Sequence, residues 1–173
     1  MITLSLILIL AGMIGNAFFA GIETGVISIH RMRLRHFVRQ GSTNARFLES
    51  LVTNFDRLLG TPLVGTNICV VIVSVAAASL SVHLGVPGGE ASSSVVVTLL
   101  VIVFAEYLPK AWFHARPLER SERFAGLLRI AEWILMPISF AIIAIARLMS
   151  PGARKSFTKP DPFVTREDLK LLA

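Results

Sequence analysis

Residues 91–115 read Ala-Ser-Ser-Ser-Val-Val-Val-Thr-Leu-Leu-Val-Ile-Val-Phe-Ala-Glu-Tyr-Leu-Pro-Lys-Ala-Trp-Phe-His-Ala, and the glutamate in that run decides how the chain folds. The uncharged part, Ala91 to Ala105, has 15 residues. At about 1.5 Å per residue it falls short of a hydrocarbon core roughly 30 Å thick, which takes about 20 residues to cross. A helix that spans must therefore carry Glu106, Pro109 and Lys110 inward before it reaches Trp112 and Phe113. A carboxylate at membrane depth is expensive, about 3 kcal/mol on insertion scales, and by default marks a functional site.

The rest of the chain agrees with a membrane setting. It has 173 residues, is 54% hydrophobic and has a mean hydropathy of +0.70, too apolar for an ordinary soluble domain. The net charge of +6 is no sign of nucleic acid. Its basic residues sit beside apolar runs, where they contact anionic membrane lipid and set topology. Cys69 is the single cysteine, so no intrachain disulfide forms.

Two further uncharged runs cover Met1 to Ile22 and Leu58 to Val82, 22 and 25 residues long. The first lacks the basic start and small-residue cleavage site of a signal peptide. A fourth candidate, Ile130 to Ala146, has 17 residues, holds Glu132 and Pro137, and is flanked by Arg129 and Arg147. Loop 31–57 carries six arginines and loop 84–90 no Lys or Arg. By the positive-inside rule the N-terminus lies outside and the C-terminus in the cytoplasm. A crossing fourth segment would put the six basic residues beyond position 146 outside. It is therefore read as an interfacial or re-entrant juxtamembrane helix, about 126–149, with Trp133 at headgroup level and a bend at Pro137; the alternative is a four-span bundle. Cysteines placed at Ser42 and Ser156 should be labelled from the same side; labelling at Ser156 from the side of Gly88 would establish four spans.

The expected architecture is all-α: spans at about 2–29, 60–83 and 91–115, a cytoplasmic helical pair at 31–40 and 44–59, and the juxtamembrane helix. The pair follows from helical spacing of Phe47, Leu48, Leu51, Val52, Phe55 and Leu58, with Gly41-Ser42 as the break. Residues 1–150 form the transmembrane domain. In 151–173, Lys159-Pro160-Asp161-Pro162 reads as a linker, and Thr165 to Asp168 has capping-box spacing ahead of Leu169. A helix is announced there, as at the start of a cytoplasmic region cut from a longer protein.

Polar residues recur on one stripe of each span. On the first, Asn16, Ala20, Glu23 and Thr24 share a face beside Gly21. On the second, Asn67, Ser74 and Ser81 recur every seven residues; the third contributes Glu106 with Thr98 two turns back. Charged and neutral oxygens suit a hard cation such as Mg²⁺, and the scattered histidines offer no site for Zn²⁺ or copper. Each residue also has a plainer role. Ser74 and the glycines serve packing, Asn67 can pin helices, and Glu23 can cap the arginine-rich segment. Glu106 and Lys110, at i and i+4, can pair. Pro109 frees the carbonyl of Ala105, which is either a kink or one more oxygen ligand.

Three motifs in order carry a resemblance. Phe18-Phe19-Ala20-Gly21-Ile22-Glu23-Thr24, Gly65-Thr66-Asn67 and Phe104-Ala105-Glu106-Tyr107-Leu108-Pro109-Lys110 resemble the transmembrane domain of the CorC/CNNM (cyclin M) family of magnesium transporters over nearly the whole chain. The resemblance implies a homodimer in the plasma membrane and Mg²⁺ export coupled to Na⁺, with tandem CBS domains beyond this chain. It would place Mg²⁺ among first-helix oxygens (Ala20, Gly21, Glu23, Thr24), Asn67 and Glu106, supported by Asn16, Ser74, Pro109 and Lys110. Ala20, Ile22 and Thr66 depart from the family's two serines and its first asparagine, so hydroxyl ligation there is lost. Thr24 and the Ala20 or Gly21 carbonyls would compensate. The rival is a dimeric membrane anchor that regulates through its cytoplasmic domains and transports nothing. No Ser/His/Asp or HExxH arrangement supports an intramembrane hydrolase, and the chain is expected not to be an enzyme.

Overall fold

The computed structural model describes residues 2–85 and 89–149, all helices and short connections. The first uncharged run becomes α1 (Ile2–Ile27), which at about 1.5 Å per residue is long enough to cross a bilayer. The arginine-rich segment folds as a hairpin of two short helices, α2 (Arg31–Arg39) and α3 (Thr43–Thr53). Gly41 makes the turn with φ +90°, a conformation that carries a steric cost for any residue with a Cβ. Ser42 then caps α3, its Oγ accepting the Ala45 N–H at 3.2 Å.

The second span is α4 (Phe55–Leu84), ended by Gly85 in the left-handed region, φ +61°. The third is built from α5 (Gly89–Leu100), a π-helical segment (Val101–Tyr107) and α6 (Leu108–Ala115). The last helix is α7 (Pro117–Met149). Among the described residues three helical stretches are long and apolar enough to cross a membrane: Ile2–Ile27, Gly60–Leu84 and Val95–Ala115. The protein is a multi-pass membrane protein.

Two boundaries differ from the sequence expectation. The helix expected over 44–59 is broken at Asn54 (φ −107°, ψ 86°), so Leu58 lies in the first turn of α4 rather than at the end of the hairpin. The Asn54 side-chain amide bonds back to the Ser50 carbonyl, a local bond that closes off the preceding turn. The juxtamembrane helix starts at Pro117, not near 126. Arg116 is extended (φ −143°, ψ 72°), and proline at a first helical position gives up an N–H that would have no partner there anyway. The capping-box segment 165–168, the linker 159–162 and Gly88 lie outside the described residues.

Burial is concentrated at the end of the bundle that holds the hairpin. Ile22, Val26, Leu34, Leu48, Leu51, Phe113, Leu118 and Leu128 form one core there. A smaller cluster of Val73, Val101 and Ala105 lies farther along the spans. Elsewhere the helices turn leucines, isoleucines and valines outward. This is the pattern expected where lipid, not water, surrounds the chain and small residues set helix contact.

Polar contacts tie α7 to the start of α3 and to the start of α4. Ser42 donates to the Glu122 carboxylate, and the Asn44 amide donates to the Glu122 carbonyl at 3.1 Å. Ten residues on, Glu132 is engaged by Arg57 at the start of α4, both guanidinium contacts at 2.7 Å. Glu132 thus lies level with the mouth of α4, whereas Trp133 beside it is 79% exposed. The arginine–carboxylate pair explains how this apolar helix carries a glutamate.

Candidate functional site: a polar seam beside a broken helix

Span three loses its regular hydrogen bonding where the sequence places Glu106. The Leu108 N–H reaches the Val103 carbonyl, five residues back, in the π pattern. One residue later Pro109 has no N–H, so in an α-helical register the Ala105 carbonyl would lack its donor. Asn16 on α1 supplies it, Nδ2 donating to the Ala105 oxygen at 3.0 Å. The side chain of Asn16 is 2% exposed, and its own Oδ1 is buried with no hydrogen-bond partner. An unmade hydrogen bond of that kind costs about 1–3 kcal/mol. Between kink and ligand, the carbonyl of Ala105 takes a third role, as the acceptor that fixes α1 to span three.

Glu106 follows within the same π segment. Its carboxylate meets Lys110 Nζ at 2.8 Å, the two side chains 46% and 37% exposed. It lines a cavity of about 130 Å³ between α4 and span three, whose other polar groups are Ser74 and Thr98 and whose walls include Val70, Val97, Val101 and Ile102.

The helix pairings set the depth of each remaining residue. A Cβ at Gly65 would touch the Phe19 ring, one at Gly15 the Cys69 sulfur, and one at Gly12 the Val73 side chain, so these faces of α1 and α4 are in direct contact. Phe19 opposite Gly65, and Asn16 opposite Ala105, put Ala20, Asn67 and Glu106 within about one helical turn of the same level. Facing is another matter. Asn67 is two residues past Gly65, about 200° round the helix, and is exposed. Its amide donates back to the Leu63 carbonyl at 2.7 Å, an acceptor it shares with the Thr66 hydroxyl. The structure brings Asn16 to Ala105, and Glu106 to Lys110 and Ser74. It does not turn Asn67 toward α1.

On α1, Ala20 is fully buried and its carbonyl accepts the Thr24 hydroxyl at 3.3 Å. Gly21 faces Phe113 of α6, with ring carbons as near as 2.4 Å to where its Cβ would stand. Glu23 is half-buried and, among the described residues, forms no ion pair. Among those residues no three His, Cys, Asp or Glu side chains group as a metal site. At the cavity itself the Glu106 carboxylate stands with the hydroxyl oxygens of Ser74 and Thr98. His114 meets the Ser28 hydroxyl at 3.1 Å.

Three apolar spans around such a seam define a multi-pass membrane protein with hard oxygen donors at membrane depth. The sequence profile of the cyclin M transmembrane N-terminal domain matches residues 6–173, and the chain belongs to that family. This is the family that the resemblance above ties to transport of Mg²⁺. The chain is 34% identical over 134 residues to the UPF0053 inner membrane protein YfjD of Escherichia coli (strain K12), covering 78% of this chain and 31% of that protein. It is 33% identical over 153 residues to a UPF0053 protein of Haemophilus influenzae, covering 84% and 36%. The chain thus spans about a third of the length of these curated relatives.

Proposed function

We propose that this chain is the membrane domain of a divalent-cation transporter whose substrate is Mg²⁺, exported in exchange for Na⁺. The observation that carries the reading is the broken stretch of span three: a carboxylate, Glu106, held within a π segment that Asn16 ties to α1. Nothing about packing alone calls for an acid at that depth, and Mg²⁺ favours near-octahedral oxygen coordination. In this reading Glu106, Asn67, Thr24, Glu23 and the carbonyls of Ala20 and Gly21 receive the ion. Lys110 holds the carboxylate when the ion is gone. Asn67 Oδ1 is the free end of its amide, since Nδ2 is committed to Leu63.

The exposure of Asn67 and Glu106 on one side of a single chain supports a homodimer. A carboxylate and a carboxamide facing hydrocarbon are costly, and a two-fold partner would cover them. The N-terminus is outside and the C-terminus cytoplasmic. The rival reading, a regulatory anchor without transport, is favoured by Asn67 turning away from α1. Flux separates the two. Vesicles containing the protein should pass Mg²⁺, and a folded Asn67→Ala protein should pass almost none; flux absent from the unmodified protein would leave the anchor. Cross-linking should trap dimers, and one Mg²⁺ should titrate per chain. One ion per dimer would mean that the carboxylates meet across the axis.

A further inference from the structure

Helix α2 has a face that the ion-transport reading does not use. Leu34 is buried and Phe37 and Val38 pack on the core, so the orientation of this nine-residue helix is fixed. Arg31, Arg35 and Arg39 follow at i, i+4 and i+8, which sets them on one ridge beside that buried stripe. All three are exposed and form no ion pair among the described residues. Residues 31–48 contain no Asp or Glu. Like charges one turn apart oppose helix formation, and Arg31 and Arg33 sit in the first turn, against the helix dipole. The N-cap His30 makes no side-chain capping bond either. Among the described residues the helix has no counter-charge.

Met32 says where that counter-charge comes from. It stands on the outward face between Arg31 and Arg33 and is 69% exposed, and Ile27 at the end of α1 is 55% exposed. α2 begins four residues past the end of a span, within headgroup reach of the bilayer. An apolar side chain among arginines at that level is the composition of a helix lying in the membrane interface. We propose that α2 is an interfacial anchor whose Arg31–Arg35–Arg39 ridge binds anionic phospholipid headgroups of the protein's own bilayer, with Met32 in the acyl boundary. The arginine stems lie along the apolar layer and their guanidinium groups reach the phosphates. This surface stands apart from the ion seam and does not depend on the transport reading.

The test places an indole at the anchor. A Met32→Trp protein also carrying Trp112→Phe and Trp133→Phe is reconstituted in phosphatidylcholine vesicles. Brominated phosphatidylglycerol or brominated phosphatidylcholine is then added at graded fractions. The anionic lipid should half-quench the indole at a roughly tenfold lower fraction, since each arginine near the surface adds several-fold to such attraction. Salt at about 1 M, where the screening length falls to roughly 3 Å, should erase the difference. Arg31→Gln, Arg35→Gln and Arg39→Gln together should erase it as well, while Arg33→Gln should leave most of it. The salt comparison needs no arginine change, so a misfolded triple variant does not remove the test. Equal quenching by the two lipids at low salt, or quenching by neither, would overturn the proposal.

Discussion

Glu106→Gln is expected to abolish Mg²⁺ flux from loaded vesicles while the protein stays folded. The change keeps shape and volume and removes one charge. A carboxylate about 4 Å from a unit charge is worth about 4 kcal/mol at an effective dielectric of 20, roughly a thousandfold in occupancy, and more for a divalent ion. The loss is compounded by Lys110, which sits at 2.8 Å from the carboxylate and would be left as an uncompensated cation beside the path. Circular dichroism and elution position should match the parent, because Glu106 is nearly half exposed and packs little. Parental flux from a folded Glu106→Gln protein would remove Glu106 from the ligand set.

Gly65→Leu should damage the fold itself. Three ring atoms of Phe19 stand 2.6 Å from where the Cβ of residue 65 would be, far inside contact distance. Phe19 is stacked edge-on against Phe18, which in turn meets Phe124 of α7, so the ring has little room to yield. Overpacking of this kind typically costs 1–3 kcal/mol, and a side chain as large as leucine belongs at or above about 3 kcal/mol. Gly126→Ala is the matched control, since a Cβ there meets nothing within 4 Å and alanine is the better helix former. Thermal unfolding in detergent should separate the two variants clearly. Equal stability would mean that α1 and α4 do not touch at Gly65.

The spans were legible because bilayer thickness acts on every residue of a crossing helix, so run length and charge suffice to find them. The stripe holding Asn16, Ala20, Glu23 and Thr24 was legible too, since helical spacing alone defines a face. The partner of Asn16 was not. Pro109 signalled a freed carbonyl at Ala105, but which side chain 89 positions away would answer it depends on how two helices dock. The same holds for Glu122, whose contacts with Ser42 and Asn44 join segments about 80 residues apart through short polar side chains with no periodic signal. Local competition hid the break at Asn54: the apolar spacing runs through it unchanged, while one backbone-directed amide ends the helix. Asn67 marks the opposite limit, a residue whose depth follows from the sequence but whose facing depends on the rotation of α4.

Anomalous diffraction from crystals grown with Mn²⁺ in place of Mg²⁺ tests the ion seam most directly, because it locates the ion without assuming flux. The account predicts one peak per chain within about 2.2 Å of a Glu106 carboxylate oxygen, with further oxygens from α1 and α4 completing a shell of roughly six. A peak elsewhere in the chain, or none beside Glu106 in a protein that still carries Mg²⁺, would contradict it.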